Sequence, residues 1–266
     1  MADPEGAQNP AARAVAWLGA AIFAASLAYF LFTYVVTFRE ITQGPLRWRD
    51  VGTNVALFSV FALHHSVFAR FPVRAWMARR VSPQLERSVY VWIASLMLIV
   101  VCALWRPIPG VAWAVTGPAV WLLRLSLAAG VWLTLRSAAI IDVWELAGIR
   151  APKLEGLRPP RRTRDRTPRP VPSDTIPVEE GLRTPEPVFR TEGPYGWVRH
   201  PIYSGWFLVV FTVTPMTATR LLFAIVSCAY ILVAIPFEER TLRETSGGAY
   251  GRYVQRVRWK LLPGVF

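Results

Sequence analysis

Side chains able to grip a small charged molecule gather in three short stretches towards the end of the chain. Arg199, His200 and Tyr203 lie in "GPYGWVRHPIYSGW" (193–206), Glu238 and Glu239 in "FEERTLRE" (237–244), and Tyr250 and Tyr253 in "GGAYGRYVQRV" (247–257). In the first stretch Gly193, Pro194 and Gly196 signal a turn, and Pro201 suits the first turn of a helix, where its missing N–H costs nothing. A helix start favours anions, and Arg199 and His200 stand just before it, with Tyr203 and Trp206 on nearby faces. Such a start could hold a carboxylate and stack a flat ring, or it could be an interfacial helix start with basic and aromatic anchors. The adjacent acids directly follow an apolar run. Facing a protein interior they would hold an ammonium or sulfonium; facing water they would pair with Arg240 and Arg243. Carboxylates are disfavoured at a helix C-terminus, so a helix ending here would need another reason for them, and one running on would not. Tyr250 and Tyr253 are three apart and share a helix face, where adenine could stack; the alternative is a basic amphipathic tail lying on a membrane.

A further polar group stands in "ALHHSVFAR" (62–70). Adjacent histidines on a straight helix point to different faces, so His64 and His65 do not chelate one metal. The remaining histidine is His200, and no cysteine is close in sequence, so no metal is expected. The pair is either hydrogen-bonded within a bundle or placed near a substrate, where His65 could act as a base.

These groups need elements to position them. The chain has 266 residues, 53% of them hydrophobic, with 12 Trp, too apolar for an ordinary soluble domain. Runs 14–38, 51–69, 88–105 and 119–141 approach the roughly 20 apolar residues that cross a bilayer. Runs 202–215 and 218–237 follow, separated by "PMTA", and read as a helical hairpin with a tight turn. The expected fold is an all-α polytopic transmembrane bundle of about 5–6 spans. Residues 1–141 form a four-span region, 142–192 a cytoplasmic loop and 193–266 the region carrying the motifs. The net charge of +13 belongs mainly to loops, where anionic lipid headgroups, not nucleic acid, are the expected partner. Arginines crowd 70–87, the long loop and the tail, which places these and the N-terminus on the cytoplasmic side. Within the long loop "RPPRRTRDRTPRPVPSDTIP" is Pro- and Arg-rich and cannot bury a core, so it is expected to be disordered or to rest on headgroups. Trp105, Trp113, Trp144, Trp197 and Trp206 fall near span ends, as interfacial aromatics do. Cys102 and Cys228 sit in apolar runs and read as small buried hydrophobes. The N-terminus lacks a basic leader, so no cleaved signal peptide is expected. Without an internal repeat, a transporter is disfavoured.

The ordered set R-H-P-x-Y (199–203), E-E (238–239), Y-x-x-Y (250–253) and a closing "LLP" resembles the integral-membrane methyltransferases, which include isoprenylcysteine carboxyl methyltransferases and bacterial phospholipid N-methyltransferases. "HHSVFAR", "ERSVYVWIASLMLIVVCALWRPIPGVAW" and "DVWELAGIR" are similar to bacterial methanethiol S-methyltransferases and their NnrU-like relatives. The stretch from about Lys153 to Pro187 departs from that pattern as a longer, more basic insertion. The resemblance implies S-adenosyl-L-methionine bound at the cytoplasmic face of a bacterial-type inner membrane. Arg199, His200, Pro201, Tyr203, Glu238, Glu239, Tyr250 and Tyr253 would line its pocket. The methionine carboxylate would meet Arg199, and its ammonium Glu238 or Glu239. Arg199 or protonated His200 could lower the pKa of a thiol acceptor, with His65 as base. The implied acceptor is a small thiol such as methanethiol. The alternatives are a lipid-borne carboxylate or amine, or a non-catalytic NnrU-like membrane protein.

Overall fold

The computed structural model describes residues 10–68, 83–141, 189, 191–246 and 248–266. The loop at 70–82 and the Pro/Arg-rich insertion lie outside the described residues. Seven α-helices appear among those described: α1 (Pro10–Val35), α2 (Trp48–Phe68), α3 (Pro83–Leu104), α4 (Ala119–Ile141), α5 (Pro201–Phe211), α6 (Ala218–Thr245) and α7 (Ala249–Arg256). The helices follow the expected apolar runs to within a few residues at most ends, because the dense Ala, Leu, Phe and Val content outweighs the isolated Gly and Pro within them. Three stretches are long and apolar enough to cross a membrane: Trp17–Arg39, Ala119–Ile141 and Ala218–Thr245. Shorter apolar helices occupy Ser88–Leu104 and Pro201–Phe211.

One feature departs from the expected all-α fold, and a second decides between the alternatives for the two acids. A small antiparallel ladder joins β1 (Val111–Trp113) to β2 (Met216–Thr217), within an otherwise helical chain. In addition, α6 does not end at Phe237 but runs through Pro236 to Thr245, so Glu238 and Glu239 are helical residues with no C-terminal dipole to oppose. Thr217 starts α6, its hydroxyl accepting from the Arg220 N–H at 3.2 Å.

The core is aromatic. Phe223, fully buried, lies 5.1 Å from the Trp105 ring and 5.5 to 5.6 Å from Phe30, Tyr34 and Phe58. Trp206 stacks on Phe30 at 4.8 Å and donates its Nε1 proton to Ser227 Oγ at 3.0 Å. Trp105 is buried in the bundle interior, and Trp206, partly buried, packs its ring on Phe30, so both are engaged by aromatic neighbours. Trp113 and Trp197 remain exposed.

At one end of the bundle the buried Arg220 guanidinium caps α1. It donates to the Tyr34 carbonyl at 2.9 Å, to the Pro215 carbonyl at 2.6 Å and to the Val35 carbonyl. Asn54, near the start of α2, exchanges two hydrogen bonds with the Arg106 backbone just past the end of α3. Ile108 does the same with Thr219 at the start of α6. The starts of α2 and α6 thus share one end, and the two helices run parallel towards the other. Midway along α4, α4 and α5 cross at small residues. A Cβ built on Gly205 would lie 2.2 Å from Thr134 Oγ1 and 2.7 Å from the Gly130 carbonyl oxygen, so only glycine admits this approach.

Candidate functional site

The motif at 193–206 is pinned by the chain's own C-terminal segment. Gly193–Gly196 forms a 3-10 turn, with Gly193 at φ +56, and Pro201 opens α5. Between them the Arg199 N–H donates to the Trp259 carbonyl and the His200 N–H to the Lys260 carbonyl, each at 2.9 Å. The Ser204 hydroxyl adds a bond to the Leu261 carbonyl at 2.6 Å. The tail is thereby laced along the mouth of α5.

On this frame the ionic groups converge. Arg199 Nε donates to Glu239 Oε1 at 2.8 Å, and its Nη1 donates to the Val257 carbonyl at 3.0 Å and to the Arg258 carbonyl. His200 Nε2 meets the same Glu239 oxygen at 3.2 Å. Both Arg199 and Glu239 are buried, so the pair is charge-assisted and shielded from solvent. Glu238 is different. Its carboxylate is 45% exposed, accepts from the Tyr203 hydroxyl at 3.0 Å and lies 3.8 Å from His200 Nδ1. The His200 ring stacks on Tyr203 at 5.5 Å. Successive helical residues point about 100° apart, so one acid enters the clasp and the other stands at its mouth. Arg243 Nη2 lies 3.8 Å from the other Glu239 oxygen, so both arginines lean on Glu239 while the Glu238 carboxylate stays half-exposed.

Tyr250 and Tyr253 lie beside this clasp, their ring centroids 5.9 Å apart. Both are buried. They do not form a surface tail, because Phe189 packs edge-on to Tyr250 at 5.2 Å and stacks on Tyr253 at 5.7 Å. The Tyr253 hydroxyl donates to the Tyr195 carbonyl at 2.9 Å. Burial pushes Tyr253 up to about 12 and raises Tyr195 and Tyr250 as well, so all three stay neutral at physiological pH. The Tyr250 hydroxyl is buried with no hydrogen-bond partner among the described residues. That hydroxyl nonetheless stands close enough to Glu239 and Arg199 to interact with both, so it belongs to the edge of the clasp.

Arg199, His200, Tyr203, Glu238 and Glu239 thus meet directly, with Tyr250 and Tyr253 adjacent and Pro201 setting the helix start. His65 makes no contact with the clasp among the described residues; its Nδ1 lies 2.9 Å from the hydroxyl of Tyr90, which in turn is within electrostatic reach of Tyr203. Among the described residues no three His, Cys, Asp or Glu side chains form a metal cluster. Phe189, Tyr195, Ser204 and Tyr90 escaped sequence reasoning. Tyr195 and Ser204 lay inside the quoted motif and could have been weighed; the tail carbonyls that hold Arg199 leave no trace in residue type. A cavity of about 170 Å³, lined in part by Tyr29, Thr33, Cys102, Trp105 and Thr219, opens at the opposite end of α6. The 20 residues from Thr219 to Glu239 place it about 30 Å away, so it is not part of this site.

The model of the isoprenylcysteine carboxyl methyltransferase family matches residues 182–246, which contain the Arg199–Glu239 pair. The chain is 39% identical to a methanethiol S-methyltransferase of Mycobacterium tuberculosis, over 78% of this chain and 76% of that protein. It is 35% identical to methanethiol S-methyltransferase 2 of Bradyrhizobium diazoefficiens, over 92% of this chain and 87% of that one. Methanethiol S-methyltransferase 1 of the same organism is 40% identical over 77% of this chain, which spans 64% of that relative's length. The chain belongs to the methanethiol S-methyltransferase family. No solved structure matches it.

Proposed function

We propose that this protein transfers a methyl group from S-adenosyl-L-methionine to a small apolar thiol, methanethiol foremost, and releases a thioether, dimethyl sulfide. The observation that carries the reading is the pairing of a neutralised Arg199–Glu239–His200 clasp with a second carboxylate, Glu238, left half-exposed beside it. The donor set fits S-adenosylmethionine. Glu238 suits its ammonium, and Tyr203, hydrogen-bonded to Glu238, offers an aromatic ring beside it. When bound, that cofactor supplies an activated methyl on a sulfonium.

The protein's share of the work is positioning, an effect worth up to roughly 7–11 kcal/mol for well-oriented partners. Glu239 holds Arg199 and His200 in place, Arg199 anchors the tail over α5, and Tyr203 orients Glu238. The pocket would open towards the cytoplasm, with the N-terminus, long loop and tail on that side of a bundle of five or six spans. An apolar thioether product can leave through the lipid.

Headspace analysis tests the reading. Cells expressing the protein and fed methanethiol should release dimethyl sulfide, and membranes should bind S-adenosylhomocysteine in a calorimeter, weakened in Glu238→Ala. Methylation of isoprenylcysteine or a phospholipid amine without dimethyl sulfide would move the acceptor to a lipid-borne group. Absent binding of S-adenosylhomocysteine to the wild-type protein would refute catalysis.

A further inference from the structure

The methyl-transfer reading leaves open how the acceptor loses its proton. Thiols near their ordinary pKa are mostly protonated at neutral pH, and the thiolate is the nucleophile. Glu239 is engaged by Arg199 and His200, and Glu238 by Tyr203. The described structure holds a second titratable cluster at the same end of the bundle. The Tyr90 hydroxyl of α3 lies 2.9 Å from His65 Nδ1 and 3.3 Å from the His65 carbonyl oxygen of α2. His64 stacks on the Tyr90 ring at 6.0 Å, and Phe61 stacks on His65 at 5.8 Å. The imidazole is thus held between an aromatic face and a phenol.

The depth of this cluster follows from the helices. α2 and α6 run parallel and touch where the Tyr230 hydroxyl donates to Ser59 Oγ at 2.6 Å. From that contact His65 lies six residues further along α2, about 9 Å, and Glu238 eight residues further along α6, about 12 Å. The two groups are level to about 3 Å, on adjoining helices whose axes sit roughly 8–10 Å apart. Tyr90 and Tyr203 are also near enough to act on each other electrostatically. Tyr90 thus lies at the depth of the Glu238–Tyr203 mouth and within electrostatic reach of Tyr203, with His65 behind it.

We infer that Tyr90 and His65 form the acceptor side of the site, relaying the proton from a thiol. The inference rests on the methyl-transfer reading above. The thiol S–H bond breaks with its electron pair staying on sulfur, and the proton passes to the Tyr90 oxygen. In concert the Tyr90 hydroxyl proton passes to His65 Nδ1, leaving a thiolate, a neutral phenol and an imidazolium. The thiolate spends its new lone pair on the methyl carbon as the donor sulfonium C–S bond breaks, that pair returning to the donor sulfur. Two neutral thioethers result, and the imidazolium returns its proton to water. The aromatic setting suits a short apolar alkylthiol, not a charged one.

The test uses the full-length protein in bilayers, with an alkylthiol and an acidic aryl thiol that is already ionised at neutral pH. For Tyr90→Phe and for His65→Gln, kcat/KM with the alkylthiol should fall by at least about 100-fold, and with the aryl thiol by only a few fold. The dissociation constant of S-adenosylhomocysteine should stay within about threefold, which also reports that each variant is folded. Equal losses with both thiols, or lost S-adenosylhomocysteine binding, would overturn the relay. Wild-type protein that binds S-adenosylhomocysteine but methylates neither thiol would refute the thiol acceptor itself, a result separable from failure of the relay alone.

Discussion

Replacing Glu239 with alanine should release the C-terminal segment from the mouth of α5 while leaving the membrane helices intact. Glu239 is the sole carboxylate hydrogen-bonded to Arg199 among the described residues, and both groups are buried. Removing one partner of a buried pair costs about 3–5 kcal/mol, because the other is stranded. Arg199 keeps its bonds to the Val257 and Arg258 carbonyls, which places the cost at the lower end, ~3 kcal/mol. That corresponds to about 150-fold in the equilibrium between docked and released tail. The Arg199 and His200 amides report it directly, since they donate to Trp259 and Lys260. Hydrogen exchange followed by mass spectrometry on bilayer-embedded protein should show their protection falling by about 100-fold in Glu239→Ala, with α1 and α4 unchanged. Glu239→Gln keeps an acceptor oxygen and should lose only about tenfold. Protection at 199–200 that stays within about threefold of wild type in Glu239→Ala would mean that the clasp does not hold the tail.

Other contacts in the structure lead to further expected outcomes. Gly205→Ala drives a methyl into Thr134 Oγ1 and the Gly130 carbonyl, so it should destabilise the α4–α5 crossing by about 1–3 kcal/mol and lower the thermal midpoint in detergent. Arg220→Met leaves the Tyr34, Val35 and Pro215 carbonyls without their donor and should cost about 3 kcal/mol; Arg220→Lys should rescue little, because one ammonium cannot span the three as the planar guanidinium does. Tyr253 titrates near 12 when folded against 10.0 when not, so above pH 10 the unfolded chain binds fewer protons than the folded one. Its stabilising contribution is complete below pH 10 and is lost as pH rises towards 12; alkaline unfolding should be less steep in Tyr253→Phe.

Much of the architecture was legible in the chain. Long apolar runs at 14–38, 119–141 and 218–237 had to become helices, because backbone polar groups in apolar surroundings must be satisfied within their own segment. The candidate site was legible in composition too, since Arg199, His200, Glu238, Glu239, Tyr250 and Tyr253 stand out as polar groups flanking apolar stretches. Trp105, expected as an interfacial anchor, is buried instead, because a tryptophan near a helix end can face lipid or a neighbouring helix, and only packing decides.

What the residues alone determined was therefore the helices, their apolar faces and the pool of groups available for chemistry. What only the tertiary structure decided was the division of labour among those groups. Adjacent acids are equivalent in sequence, but a helix turns about 100° per residue, so α6 against α5 buries Glu239 on Arg199 and leaves Glu238 at the mouth. Likewise Arg199 is held by carbonyls of residues more than fifty positions away, and Tyr90 meets His65 across two helices. Backbone carbonyls are the same at every position, and a contact between distant segments exists only once the chain has closed, so neither could be read from residue types.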